Sequence, residues 1–477
     1  MQDTIEKYEV LKKLGKELFS QSDVVRRINV TSKDIEIAKQ FLAKAITATN
    51  PEVLSLYFEH VIIAPELGRR IVQKLGDRSY ELGVKWEEIE FLLWLHEIGR
   101  LVDPAGYLRN DLIEEQLLKD FGIPTRLIDQ LPPIKTMIKV AKMLNLSETQ
   151  SKGEAELTVE QQKIASDYFN LLTPIERLVF FADNFGKLDQ NGRLFDFESF
   201  INYLRTYGSN YPESEFAVEI KSSIILTIFI IEKIIEWLAT LSVDFAEILK
   251  GLTDYGPKFV IVARHGIFLN PSGLIYNTDS VMKKYNKEII HLSPKGKEQE
   301  LQLGALIHKR KFRVRQIISS PSARAFESAE SLNETFGLSK VQASKELDDV
   351  YMPGPVAEGM TMKQHEKMGG GSGYDESRWG PYQHEKPQHI IQRIEEMFWQ
   401  LGASLKTGET GILISHGDPI AWWINHKVMG TIPDPKRLRN LIYPNKGDAI
   451  VGIIDPQGRF FSHYLLKDPS LIEGESF

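Results

Sequence analysis

The chain contains no cysteine. Disulfide staples, thiolate nucleophiles and Cys-ligated zinc are therefore excluded, and a reducing, cytoplasmic setting is the expectation. A strong excess of one charge is also lacking: 58 Lys and Arg stand against 65 Asp and Glu, a net charge of -7 over 477 residues. Nothing global points to nucleic acid or an anionic membrane as partner. Long apolar runs are lacking too. The most apolar stretch, SSIILTIFIIEKIIEWLATL from Ser222, runs ten residues before Glu232 and Lys233 interrupt it. A bilayer span requires ~20, so this stretch reads as a buried helix. The opening MQDTIEKYEVLKKLGKELF alternates charge with apolar residues and shows no signal-peptide core.

What is present suits a globular protein of two or three domains: 42% hydrophobic and 26% charged residues. Residues 1–250 read as helices. TSKDIEIAKQFLAKAI carries Thr31 and Asp34 in an N-terminal capping pattern, and NPEVLSLYFEHVII places Asn50 as cap with Pro51 as first helical residue. LTPIERLVFFADNFGKL has Thr173 as cap, Pro174 first and Glu176 third. Pro132, Pro133 and the polar run from Asn145 mark loops. After LTDYGPKF the pattern changes: FVIVA, VRQIIS, TGILIS and AIVGIID alternate with helical stretches such as SPKGKEQELQLGALIHKR and SARAFESAESLNETF. That alternation predicts an α/β domain with a mostly parallel sheet. The boundary falls near 251–257, giving domains 1–250 and 251–477. A glycine-rich patch from Met368 reads as an inserted loop, and HKRKFRVR at 308–315 as a solvated helix end leading into an edge strand.

Ligands of open α/β sheets gather beyond the carboxyl ends of the strands. Three predicted strand ends carry unusual side chains: VIVARHG, IISSPSARA and ILISHGDP. Together they offer Arg264, His265, Arg324 and His416. Guanidinium forks grip phosphate oxygens bidentately, and two such cations around a histidine call for an anion between them.

These residues resemble the histidine phosphatase superfamily, with its phosphoglycerate-mutase-like three-layer α/β fold. ARHG at 263–266, SSPSARAFESAE at 319–330 and SHGDP at 415–419 carry the resemblance in the family's order. It implies that His265 attacks phosphorus and forms a phosphohistidine, while Arg264, Arg324 and His416 stabilise the equatorial oxygens. Gly266 is expected to let the backbone turn sharply beside the nucleophile. Asn270 lies one residue short of a further phosphate contact. The proton donor to the leaving group is assigned to Asp349 within SKELDDVYMPGP; Asp418 is its rival and a second candidate for substrate binding, with Glu346 and Asp348 close by. His291, His365, His384 and His389 have no motif around them and read as surface or loop residues.

A second constellation lies in the helical half: His60, His96 with Glu97, and Asp183, all on apolar helical segments. Such side chains need partners, and a shared divalent metal is one way to satisfy them. The segments resemble HD-domain metal-dependent phosphohydrolases over roughly 50–188, with LLWLHEIGRL carrying Glu97 where that family has Asp. The resemblance implies an all-α HD-like domain and a divalent metal on His60, His96, Glu97 and Asp183. A helical domain that kept the architecture without the metal is the alternative. Arg109 and Asp111 are further candidates to face a substrate there.

The sequence thus predicts a phosphomonoester hydrolase needing no cofactor at its C-terminal site, with a second, metal-dependent phosphohydrolase or regulatory site in its N-terminal domain. A phosphomutase on the same fold, and a phosphatase controlled by a non-catalytic sensing domain, are the alternatives. The expected partner is a small phosphorylated molecule such as a nucleotide or sugar phosphate, with neither nucleic acid nor membrane involved. No oligomeric state follows from the sequence.

Overall fold

The computed structural model describes residues 2–26, 29–51, 53–103, 110–131, 137, 140, 141, 143, 144, 156–186, 199, 200, 202–204, 224–275, 277–361, 363, 364 and 382–466. The chain divides into two compact units, 1–257 and 258–477. Phe245–Leu249 and Leu252–Asp254 pack against helices of the first unit, and Lys258 opens the first strand.

Among the described residues, the first unit holds only helices. The longer ones are Gln2–Phe19 (α1), Ser32–Thr49 (α2), Ser55–Leu75 (α3), Trp86–Leu95 (α4), Asn110–Asp120 (α5), Val159–Leu171 (α6), Pro174–Phe185 (α7) and Ile224–Thr240 (α8). Two starts follow the sequence. The Thr31 N–H donates to Asp34 Oδ2 at 2.8 Å, and the Thr173 N–H donates to Glu176 Oε2 at 2.6 Å, while Glu176 N–H returns a bond to Thr173 Oγ1 at 3.2 Å.

One predicted start is wrong. Asn50 does not open a helix; it closes α2 in a left-handed conformation, φ 45° and ψ 62°, and its N–H reaches Ile46 O at 3.1 Å. Pro51 disfavours helical backbone at the residue before it, and asparagine tolerates the left-handed region. α3 accordingly begins only at Ser55. α8 lies in the apolar stretch from Ser222 and buries Ile224, Leu226, Ile230, Ile231, Ile234 and Leu238. No described helix is long and apolar enough to cross a membrane. The loops expected at Pro132, Pro133 and 145–155, the patch from Met368, Arg109 and His365 lie outside the described residues.

The second unit is built on strands Lys258–Arg264 (β1), Arg313–Ser319 (β2), Gln342–Ala343 (β3), Glu409–Ser415 (β4), Ala449–Ile454 (β5) and Phe460–Leu466 (β6), in the order β3-β2-β4-β1-β5-β6. β3, β2, β4 and β1 are mutually parallel; β5 runs antiparallel to β1 and β6 antiparallel to β5. The sheet is therefore mostly parallel, as predicted, with an antiparallel pair at one side. The helices Pro294–Lys309 (α9), Ala323–Phe336 (α10), Pro387–Ser404 (α11) and Gly417–Met429 (α12) flank it. Alternation along β1 turns Val260 and Val262 towards Ile394 and Phe398 of α11 and Trp423 of α12. Phe259 faces the other way and meets Phe312, just beyond α9, at 5.3 Å. Residues 308–315 form the end of α9 and the start of β2. β2 is not an edge strand, although β3 covers only Ile318 and Ser319 of it.

Candidate functional site

Parallel pairing places three strand ends side by side. Arg264 on β1 is level with Ser415 on β4, and Ser319 on β2 is level with Ile414. The chain leaving each end stays bonded to its neighbour: His265 N–H donates to Ser415 O at 3.1 Å and Ser320 N–H to Ile414 O at 2.9 Å. Arg264, His265, Arg324 and His416 are consequently brought together, each at most 2% exposed. The His265 and His416 rings stand 5.1 Å apart at 65°.

His265 Nδ1 lies 2.9 Å from Gly266 O. A carbonyl only accepts, so Nδ1 carries the proton and Nε2 keeps its lone pair. That Nε2 is buried and has no hydrogen-bond partner among the described residues. Burial, then Arg324, Arg264 and Lys446 nearby, hold this imidazole well below the usual histidine range. Gly266 has no left-handed backbone; the glycine is required by close approach, since a Cβ there would sit 2.7 Å from Gly296 O. Gly417 is a similar case, its Cβ position lying 2.6 Å from Tyr443 OH and 2.9 Å from Arg264 Cζ.

The two arginines are held differently. Arg264 donates to Pro444 O at 2.9 Å and lies over the Tyr443 ring at 5.5 Å. Arg324 donates through one terminal nitrogen to Asp349 Oδ2 at 2.7 Å and to His416 Nδ1 at 3.1 Å. Burial pushes the Asp349 carboxyl up to about 6; Arg324 pulls it down and Asp418 raises it again. Asp418 accepts from Tyr443 OH at 2.6 Å. Asn270 bonds within its own loop, donating to Leu274 O at 2.9 Å and accepting from Ser272 Oγ at 3.0 Å. Asp348, one residue before Asp349, accepts from Ser320 Oγ at 2.9 Å and from Ser322 Oγ at 2.5 Å.

Outside this site, His291 pairs with Glu327 at 2.5 Å and His389 with Glu385 at 2.7 Å, both on the surface, while His384 bonds Pro353 O at 3.1 Å. Glu300, on α9, is fully buried next to Gly266; burial pushes its carboxyl up to about 8, partly offset by the Ser328 hydroxyl and the Gly266 amide. Sequence reading passed over it because it lies on a helix with no motif.

In the first unit, donor atoms of His60, His96, Glu97 and Asp183 all lie within 4.8 Å of one another. His60 sits on α3, His96 caps the end of α4, and Asp183 lies on the last turn of α7. His60 Nδ1 lies 3.0 Å from Gly186 O and His96 Nδ1 2.6 Å from Leu93 O. Both Nδ1 atoms therefore carry protons, and in the neutral rings both Nε2 atoms carry lone pairs. Those two Nε2 atoms are 2.8 Å apart, with Asp183 Oδ1 at 3.1 and 3.3 Å. Glu97 is ion-paired with Arg100. Glu114 on α5 is buried, and burial together with Glu97 and Asp183 pushes its carboxyl well above the usual range. Asp111, also on α5, is among the charges acting on Glu114.

No curated protein matches the chain. Similar solved structures include a mycobacterial glucosyl-3-phosphoglycerate phosphatase, 19% identical, covering 43% of this chain and 96% of that one with a TM-score of 0.34. Bacillus stearothermophilus YhfR is 18% identical, covering 43% of this chain and 94% of that one, with a TM-score of 0.35. The alpha-ribazole phosphatase from Shigella flexneri is 17% identical, covering 43% and 94%, with a TM-score of 0.32. Residues 260–453, which hold all four buried side chains at the strand ends, match the family described as histidine phosphatase superfamily (branch 1), and that region is a domain of this superfamily.

Proposed function

We propose that the second unit hydrolyses small phosphomonoesters through a phosphohistidine at His265. The observation that carries this is the buried, unbonded Nε2 lone pair beside two guanidinium groups. Nε2 attacks phosphorus; the N–P bond forms as the ester P–O bond breaks, and Asp349 gives its proton to the departing oxygen. Water then attacks phosphorus, Asp349 takes the proton back, and the N–P bond breaks to release inorganic phosphate. Arg264 and Arg324 are aimed at charge on the phosphoryl oxygens in both steps. An acid at about 6 still holds part of its proton near neutrality, so kcat should fall as pH rises past that value.

For the first unit, the reading is an HD-like domain holding a divalent metal on His60, His96 and Asp183, with Glu97 shared between the cluster and Arg100. Two facing lone pairs beside a carboxylate repel one another unless a cation lies between them, and the tautomers set by Gly186 and Leu93 suit metal ligation. Bound there, the metal would supply Lewis acidity towards a phosphate ester.

The test is a hydrolysis screen over sugar phosphates, nucleotides and other phosphomonoesters, with and without chelator, on wild type and His265→Ala. Phosphate release that survives chelator, disappears in the variant and passes through an acid-labile label on His265 is expected. Isomerised product in place of free phosphate would mark a phosphomutase. No label at residue 265 with any ester would end the proposal.

A further inference from the structure

The second histidine of the phosphoryl site is held by a directed line of hydrogen bonds. Its direction follows from what each group can do. Arg324 only donates, so His416 Nδ1, 3.1 Å away, must accept and carry the lone pair. Burial and Arg324 hold His416 well below the usual histidine range, so the ring is neutral and its one proton is on Nε2. Nε2 lies 3.0 Å from Ser320 Oγ and donates to it. The Ser320 hydroxyl has a single proton, and it goes to Asp348 Oδ1 at 2.9 Å.

We infer that Asp348, acting through Ser320, is a positioning residue for His416: it fixes the Nε2–H tautomer and so turns the Nδ1 lone pair towards Arg324. The same Arg324 nitrogen also grips Asp349, so one line of bonds runs from Asp348 through Ser320, His416 and Arg324 to Asp349. Two adjacent aspartates thereby occupy opposite ends of it, one anchoring the line and one serving, on the function proposed above, as proton donor. Without Asp348 the Ser320 proton has no acceptor and turns back on His416 Nε2. The imidazole proton is then driven to Nδ1, against the guanidinium.

Asp348 has a second task that must be separated from the first. It also accepts from Ser322 Oγ at 2.5 Å and from the Asp349 N–H at 3.1 Å, which fastens the loop after β2. Ser320→Ala cuts the line to His416 and the Ser322 N–H bond to Ser320 Oγ at 3.1 Å, and leaves the two bonds to Asp348 in place; Ser322→Ala removes only its hydroxyl bond to Asp348 and leaves the line intact.

The experiment uses the full chain labelled with ¹⁵N-histidine, with the His416 tautomer read by NMR alongside steady-state kinetics on a phosphomonoester. Wild type should show the proton on Nε2. Ser320→Ala and Asp348→Ala should mix the tautomers and lower kcat by roughly 10–100-fold, with KM changed less than about threefold. Ser320→Thr, which keeps the hydroxyl, should restore kcat, and Ser322→Ala should stay within about twofold of wild type. An unchanged tautomer and kcat in Ser320→Ala, or an equal loss in Ser322→Ala, would reduce Asp348 to a loop anchor and overturn the inference. Should Ser320→Ala fail to fold, Asp348→Ala carries the same two readouts, with Ser322→Ala accounting for the lost loop bond. A wild type without phosphatase activity would defeat the function proposed above, while the tautomer measurement would still decide this one.

Discussion

Each unit brings two buried histidines together at nearly the same separation: ring centroids 4.8 Å apart at 79° in the first, 5.1 Å at 65° in the second. The nearest charges differ in sign, although Asp349, ion-paired with Arg324, also stands 3.5 Å from His416 Nδ1. His60 and His96 face each other through their Nε2 atoms with Asp183 against both and the buried Glu114 close by. His265 and His416 are flanked by Arg264 and Arg324, with Lys446 near His265. The imidazole itself does not select a ligand. The charge of its neighbours and the tautomer imposed by its other nitrogen do, which on the reading proposed above means a cation in one unit and an anion in the other.

The sharpest way to break the contrast is to remove the charge that makes the second site cationic. Arg324→Ala takes away the group that touches both Asp349 and His416. A loss of roughly 10³-fold in kcat/KM is expected, since one preorganised donor is typically worth 10²–10³ and Asp349 also loses its partner. Arg324→Lys should recover little of it, because a point charge cannot replace the fork. Steady-state kinetics decides; a loss below tenfold would mean the arginine does not face the reacting phosphoryl group.

The first site is broken from the other side, by supplying or withholding a cation. Titrating Zn²⁺ or Mn²⁺ to a hundredfold above its dissociation constant should stabilise the fold by about 2.7 kcal/mol, some 5–10 °C in thermal midpoint. Asp183→Asn should abolish the shift. Calorimetry showing no binding by wild type would leave His60 and His96 as a packed pair and remove the contrast between the units.

How visible was this contrast in the sequence? The strand-end motifs were legible because their chemistry is local: ARHG and SHGDP each put a histidine directly past an apolar strand, and SSPSARA puts Arg324 five residues past Ser319. Parallel pairing then does the rest, since adjacent parallel strands end on the same side. The strands β3 and β6 were not predicted; β3 has two residues, and FFSHYLL breaks its apolar pattern with Ser462 and His463. Asn50 misled because a cap residue followed by proline looks the same at either end of a helix, and only the left-handed φ tells them apart. Ser320 lay inside a quoted motif and Asp348 was noticed only as a neighbour of Asp349, because a hydrogen-bonded line spanning 96 residues between Ser320 and His416 leaves no spacing signal.

Glu300 is buried next to Gly266, where an ionised carboxylate would oppose the phosphoryl anion proposed for the second unit. With its carboxyl up at about 8, against an ordinary value of 4.5, Glu300 is protonated and neutral at pH 7. The folded state therefore binds more protons than the unfolded state between those values. This group's contribution to stability is intact below about 4.5, falls as pH rises towards 8, and levels off above it. Between pH 7 and 9 the fall is about 1 kcal/mol. Glu300→Gln should remove it, so that denaturant unfolding shows the variant gaining on wild type at alkaline pH. A constant difference across that range would place the proton elsewhere.

The smallest effect separates charge convergence from scaffold stiffness in the first unit. Asp183 sits near the end of α7, and Thr173 with Glu176 caps its start. Thr173→Ala removes the hydroxyl that takes the Glu176 N–H, at about 1 kcal/mol of stability and a few degrees of thermal midpoint. If the histidine lone pairs and the Asp183 carboxylate define the site, the loss stays in the fold and metal affinity changes by less than about twofold, because the last turn of α7 is fixed locally by Gly186 against Ala64. A tenfold loss of affinity in Thr173→Ala, at a temperature where the variant is folded, would show instead that helix rigidity sets the ligand positions. The two units would then differ in mechanics as well as in charge: one site held by packing over a whole helix, the other by short bonds at the ends of parallel strands.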